Sequence, residues 1–499
     1  MTTSRVTTKF PAPVYRDMVL APVFADAKKY FLDPLLEIEY AHTLMLARQG
    51  IMPEGEAAQC LRALDALDRN EIRTAEYDGS FEDLFFYIEK KLAAACGEEV
   101  AGKMHTARSR NDIDLTMYRM VLRKRLLETL TALLELRQLL VELAWEHRAA
   151  LMPAYTHNQP AQPTTLGHYL MAYIEILERD ADRVRQAYTR VNRNPLGACA
   201  ITTTGFPIDR NFTEVLLGFN GLQVNSYGAI AAVDYVAESC GVLATSMLSL
   251  GRFTQDLLLW STAEFGYLRL SDAYVQISSI MPQKRNPVPL EHVRVLASRA
   301  LMEAQAVLGS LHNTPFADMN DAEDDLQPLV YTAFDDGVRS LRLLTGALGE
   351  AEFNTARMAV AADGNFLPVT ELADTLVRAT GMSFHASHKI VSKAVRELSA
   401  GYDVAVMTEI IVRELDATEN AASVSREQIR EALSAKNFVA VRRIAGGPAA
   451  EVLEPEILRA KERNLADNHW LKETEKKLAD AGDAMKREHD SLLRRANGS

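Results

Sequence analysis

An all-α fold is expected from this sequence, and three observations carry the expectation. The stretch from Lys103 to Met152 contains neither glycine nor proline, and Leu115, Leu122, Leu126, Leu133, Leu136, Leu140 and Leu143 recur along it at helical spacing. Four more long stretches, at roughly 165–192, 229–265, 290–312 and 322–348, repeat that pattern. Strand patterning is slight, confined to short patches around Gly197–Ile208. A helix of about 40 residues would span roughly 60 Å, several times the usual globular length, so it must lie lengthwise against others in a bundle or coiled coil.

The elements follow in order. Up to about Arg110 the pattern is of shorter helices punctuated by Pro34, Pro53 and Gly55. The first long helix can be capped by Asn111 or Asp112, and Pro153 enforces its end. In the fifth, Pro328 either kinks the helix or marks its true start. Beyond about Asp363 short helices return, broken at Gly364, Pro368, Gly381 and Gly401. From Glu451 the alternation of Lys/Arg with Asp/Glu reads as a solvated helix. With no repeat and no low-complexity linker, the division is three helical units, 1–110, 111–362 and 363–499, around a central bundle of long helices.

Composition narrows the function. A formal charge of -12 over 499 residues leaves no basic face for nucleic acid or an anionic membrane, although a few buried cations can still define a site for an anionic small molecule. Cys60, Cys96, Cys199 and Cys240 have neither CxxC spacing nor the density of a disulfide framework, so reduced packing residues are expected. Met1 to Pro11 carries no apolar signal core and no apolar run approaches membrane-span length, which makes the cytoplasm the expected location.

Three polar stretches sit at the ends of long helical patterns. His105-Thr-Ala-Arg-Ser-Arg-Asn-Asp112 concentrates two arginines, two hydroxyls and an amide before the first long helix, where a helix N-terminus favours anions. The plainer explanation is a capping box with solvated arginines. Tyr155-Thr-His-Asn-Gln-Pro-Ala-Gln-Pro163 reads as a proline-stiffened loop in which His157 is a candidate for acid–base work, against the usual structural role of a lone histidine. Ser278-Ser-Ile-Met-Pro-Gln-Lys-Arg-Asn-Pro287, followed by Glu291 and His292, crowds polar groups into an apolar neighbourhood.

The last string resembles the signature loop of the fumarase/aspartase superfamily. His-Thr-x-Arg-Ser-Arg-Asn-Asp and Tyr-Thr-His look like the argininosuccinate lyase branch, as do Pro195-Leu-Gly, Phe206-Pro-Ile-Asp-Arg210, Asn225-Ser226, Leu259-Trp-Ser-Thr-Ala-Glu-Phe-Gly266, Leu372-Ala-Asp-Thr-Leu-Val-Arg378 and Gly446-Gly447. The resemblance covers about Asp33 to Glu451. It implies a central five-helix bundle, a homotetramer with a twenty-helix core, and active sites that draw their three motifs from three subunits. It also implies a cofactor-independent carbon–nitrogen lyase that splits an N-substituted aspartate, reversibly, into fumarate and an amine.

That reaction removes a Cβ proton and piles charge onto the adjacent carboxylate, so it needs a base and preorganised donors. By resemblance Ser278 is the base, ionised by nearby donors and Lys284 once the loop closes and water is excluded. Lys284 and Asn286 would clamp the carboxylate that takes up charge. Thr106, Ser109, Arg110, Asn111, Thr156, Ser279 and Met281 would bind the rest of the succinyl unit, and Glu291 would partner His157, fixing its tautomer. No metal is expected, and His385 and His388, three apart on a helix, are not read as ligands.

Three departures from the branch stand out. Ile277 replaces a glycine before the loop serines, Lys284-Arg285-Asn286 replaces Lys-Lys-Asn, and Glu82-Asp-Leu-Phe-Phe86 lacks the family's histidine. A fourth bears on substrate. Aligned on Glu323-Asp324, the branch's Tyr, Gln and Lys that hold the arginine end become Ala317, Ala322 and Asp325. An aspartate there repels a carboxylate and favours a protonated amine. The first expectation is therefore a member like ethylenediamine-N,N'-disuccinate (EDDS) lyase, the second argininosuccinate lyase and the third adenylosuccinate lyase. A catalytically idle, crystallin-like structural protein is the alternative of a different class, disfavoured because Ser278, His157, Lys284 and Glu291 are all present.

Overall fold

A computed structural model of the chain describes residues 10–398, 401–418 and 423–498. The N-terminal segment read above for a signal core therefore lies, but for Phe10 and Pro11, outside the described residues.

Five long helices dominate: Arg110–Glu146, Leu166–Val191, Asp234–Trp260, Val288–Leu311 and Gln327–Gly349. Each packs on two neighbours so that the five close a ring, in the order Arg110, Leu166, Asp234, Val288 and Gln327 helices and back to the first. The Arg110 helix is buried round most of its circumference, with Tyr118, Leu122, Leu126, Leu133 and Arg137 all inside, which is why its pattern is apolar on more than one face. Pro328 lies in the first turn of its helix, where the missing N–H costs nothing, so it marks the true start rather than a kink.

Two boundaries differ from expectation. Ser109, not Asn111 or Asp112, caps the Arg110 helix, and Asp112 is the third-residue partner in a capping box. The helix stops at Glu146, seven residues before Pro153, which lies instead in a strand. That strand, Leu151–Thr156, pairs antiparallel with Gln159–Thr165. His157 (φ 51°) and Asn158 (φ 60°) form the two-residue turn between them, both left-handed as a tight hairpin requires. Conversely, the patches around Gly197–Ile208 form no named strand: left-handed Gly197, Cys199 and Thr203 interrupt any extended run.

The hairpin turns the chain back sharply. Gly167, opening the next helix, abuts the end of the previous one so closely that a Cβ would lie 2.6 Å from the Ala144 carbonyl oxygen. Only glycine permits that approach.

Helices between Val369 and Ala432 build a second, smaller core around Leu372, Leu376, Ile411 and Ile429. The final helix, Ala450–Gly498, does not join it. It packs along the Arg110 and Leu166 helices and the N-terminal Leu32–Arg48 and Glu54–Asp65 helices. Its seam is not merely solvated: Arg137 donates to Asn464 (2.6 Å) and Asp467 (2.6 Å), all three buried. Removing one partner of such a buried ion pair typically costs about 3–5 kcal/mol. Among the described residues no helix is long and apolar enough to cross a membrane.

Candidate active site

The three polar motifs lie at the two ends of the bundle. Because the Arg110 helix has 37 residues, those ends lie about 55 Å apart. At the first end stand the Thr106–Asp112 segment, the 192–233 connection and the 312–326 connection. At the second stand the hairpin, the 261–287 segment and residues 350–363. The three motifs are thereby divided: Thr106, Ser109, Arg110 and Asn111 at one end, and Thr156, His157, Ser278, Ser279, Met281, Lys284, Asn286 and Glu291 at the other.

At the first end the backbone is heavily tied. The Ser109 amide donates to Asp112 Oδ1 (2.8 Å), while Asp112 Oδ2 accepts from the amides of Gly197 (2.8 Å) and Cys199 (3.0 Å). Burial pushes the Asp112 carboxyl up to about 6, against the pull of these donors. Ser109 Oγ donates to Asn111 Oδ1 (3.0 Å), and Asn111 Nδ2 donates to the Ala200 carbonyl (3.2 Å).

The two arginines of this motif are not solvated. Arg108 is buried against Glu39 (2.8 Å), whereas Arg110 is half-buried between Glu82 (3.1 Å) and Asp83 (2.6 Å). Glu82 and Asp83 belong to the segment whose histidine is missing, so the arginine expected to bind carboxylate already has two acids on it. Sequence pattern missed Glu39 and His42, since both sit on an apolar helix far upstream and only their polarity within a core face could have signalled them.

The 312–326 connection brings more acid to this end. Tyr118 donates to Asp324 (2.9 Å). Burial raises the Glu323 carboxyl to about 8, helped by the neighbouring Asp318 carboxyl. Burial also raises Asp114, helped by the Asp324 charge, and Asp324, helped by Asp83 and Asp325. Arg110 is the cation that opposes them.

At the second end, a two-rung ladder pairs Gln276 with Asn286 and Ile277 with Arg285, closing the loop 278–284. Ile277 in place of glycine thus sits in extended backbone that a β-branched residue favours. Ser278 Oγ accepts from the amides of Met281 (3.1 Å) and Ile280 (3.4 Å), two dipoles suited to stabilising charge on that oxygen. Arg285 is spent on the loop's base, donating to Asp272 and to the Leu270 carbonyl (2.8 Å). Asn286 donates its amide to Gln276 O (2.9 Å).

Lys284 is exposed, with Asn286 on the wall of a cavity of about 760 Å³ that Arg269, Glu352 and Asn354 also line. His157 and Glu291 are exposed on separate elements, the hairpin tip and the first turn of the Val288 helix, and no hydrogen bond joins them among the described residues. Asn158 lines a different cavity, of about 400 Å³, shared with Tyr155, His168 and Arg442. Among the described residues no group of three or more His, Cys, Asp or Glu could hold a metal ion.

Comparison with known proteins places this geometry. Residues 35–301 match the lyase family profile, and residues 366–440 match that of the argininosuccinate lyase C-terminal region. The chain is 44% identical over 450 residues to "Argininosuccinate lyase 2" of Agrobacterium fabrum, covering 89% of each. It is 39% identical over 458 residues to an argininosuccinate lyase of Methanoculleus marisnigri, covering 91% of this chain and 92% of that one. Two solved structures are also similar at 32% identity and a TM-score of 0.86. One is EDDS lyase in complex with formate, over 98% of this chain and 97% of that one. The other is an EDDS lyase variant with bound fumarate, over 96% and 97%. The chain belongs to the argininosuccinate lyase branch of the fumarase/aspartase superfamily and is a carbon–nitrogen lyase that releases fumarate.

Proposed function

We propose that this lyase acts on an N-substituted aspartate whose amine half carries a protonated amine close to the nitrogen that leaves, with EDDS the first candidate and argininosuccinate the second. The observation that carries the reading is the acid-lined 312–326 connection. Where the branch holds the arginine end with Tyr, Gln and Lys, this chain has Ala317, Ala322 and Asp325, and Asp318, Glu323, Asp324 and Asp114 crowd the same end. Such a site attracts an ammonium group, which the diamine of EDDS supplies two carbons from the leaving nitrogen. The likeness to EDDS lyase supports the first candidate, and relatives named argininosuccinate lyase support the second.

The site would assemble between subunits. Motifs at opposite ends of a helix about 55 Å long cannot meet in one chain, and the outer faces of the Asp234 and Val288 helices leave Leu248, Val295, Met302 and Leu308 exposed for other copies to cover. A homotetramer satisfies both. In the assembled site Ser278 would take the Cβ proton, Lys284 and Asn286 would meet the carboxylate that gains charge, and the Thr106–Asn111 segment and Thr156 would hold the other carboxylate. His157, oriented by Glu291, would meet the leaving nitrogen. Ser279 and Met281 would line the closed loop.

Steady-state comparison of three compounds tests the substrate: argininosuccinate, EDDS, and N-(2-aminoethyl)aspartate, which keeps the diamine but lacks the second succinyl group. The expected order of kcat/KM puts both diamine compounds above argininosuccinate. A higher kcat/KM for argininosuccinate overturns the reading. Turnover of the smaller diamine compound in preference to EDDS would show that the acids face the amine's far end.

A further inference from the structure

We infer that His42, together with the Glu39–Arg108 ion pair, is the positioning device that sets the Thr106–Asn111 clamp for the substrate carboxylate. The inference rests on the proposed role of that segment. Its basis is a strained kink: Ala107 is left-handed (φ 63°), a conformation that L side chains with a Cβ rarely adopt and that persists only where surroundings over-determine it. Here three consecutive residues are tied from outside. His42 Nε2 lies 2.9 Å from the carbonyl oxygen of Thr106. Cys199 Sγ lies 3.1 Å from the carbonyl oxygen of Ala107. The Arg108 guanidinium meets Glu39 at 2.8 Å and stacks over Phe85.

Glu39 and His42 are three residues apart on the Leu32–Arg48 helix, hence on one face, and both are 2% exposed. A carbonyl oxygen only accepts, so Nε2 carries the hydrogen and the tautomer is settled. Burial and the nearby Arg108 charge hold the imidazole neutral, near pKa 3. It is therefore a fixed hydrogen-bond donor at every working pH and not a proton carrier. The kink ends two residues before the Arg110 helix, so releasing Thr106 would turn its side chain and the N-terminus that follows. Arg108 is consumed in holding the segment, whereas Arg110 beyond it stays half-buried between Glu82 and Asp83.

The test uses the purified wild-type enzyme with whichever N-substituted aspartate it converts to fumarate, and two variants. His42→Met fills the volume without a donor, and His42→Gln restores an N–H at similar reach. Fumarate, the product, serves as the probe of carboxylate binding. His42→Met should raise KM and the fumarate inhibition constant at least tenfold with kcat within about threefold, and His42→Gln should bring both constants back to within threefold of wild type. Unchanged constants in a folded His42→Met, or a folded His42→Gln no better than His42→Met, overturn the inference. If His42→Met does not fold, His42→Gln decides alone: constants within threefold of wild type support the positioning role, and larger ones overturn it. Failure of wild type to release fumarate from any such substrate would overturn the functional reading itself, a different result from unchanged binding in a working enzyme.

Discussion

The two ends of the bundle are built on opposite principles. At the first, the Thr106–Asp112 segment is pinned by buried partners, Glu39 and His42 from one helix and Gly197 and Cys199 from the loop that wraps it, with the exposed Ala200 carbonyl accepting from Asn111. At the second, the Ser278 loop is closed by two ladder rungs, and Ile277 and Ile280 are 78% and 83% exposed. On the roles proposed for the two segments, the contrast would separate two demands of elimination chemistry. Holding an anion in register needs donors fixed before it arrives, since reorganisation during reaction would consume the stabilisation they offer. Deprotonating a carbon with a serine needs water excluded only after substrate is in place, which suits a loop with few anchors.

The largest effect should come from the loosely held end. Ser278→Ala is expected to lower kcat by at least about 100-fold while circular dichroism and Tm stay unchanged. Retention of even a tenth of the activity would remove Ser278 from the base role.

The division between ends can be broken directly by mixing. Ser278→Ala and Arg110→Gln, each expected to be nearly inactive alone, place their defects at opposite ends. Co-expressed, they should yield mixed oligomers in which some sites carry neither defect, with activity well above the sum of the two and light scattering at four times 55.4 kDa. No recovery from a mixed tetramer would mean that both ends serve one site in one chain, against the helix length.

A subtler effect concerns His157 and Glu291, apart within one subunit but expected to pair in the assembly. The double variant His157→Asn/Glu291→Gln should lose little more activity than the worse single one, because groups acting as a unit are non-additive. Multiplicative losses would show that they work separately.

The smallest effect sharpens the electrostatic side of the comparison. Glu323 has its carboxyl raised, first by burial and then by Asp318, so its favourable contribution is full below the ordinary glutamate value and is lost as pH rises through about 8. Glu323→Gln, neutral throughout, should match wild type in Tm near pH 5 and exceed it by a few degrees near pH 9. An equal difference at both values would show that a cation from another subunit already meets that carboxylate.

Some of this was readable without coordinates. Five long helices follow from apolar periodicity because a long helix must bury a stripe, and burial writes itself into every third or fourth residue. The Ser278 string and the Arg-Ser-Arg-Asn string were legible because dense polar groups beside long apolar helices have few structural uses. The hairpin was not legible: Pro153, Pro160 and Pro163 argue against strands in general, yet a two-stranded ribbon tolerates proline wherever the N–H faces outward. The charged tail also misled, since its burying face carries Arg137's partners Asn464 and Asp467, which look like solvent-facing polarity until the ion pair is seen. What tertiary structure alone decided is which acids each arginine of that string meets. The resemblance singles out Arg110 of the two arginines, but only the folded chain shows Arg108 buried against Glu39 and Arg110 half-buried between Glu82 and Asp83. Local sequence sets what a residue can bond to; only the packing of distant helices sets what lies within reach.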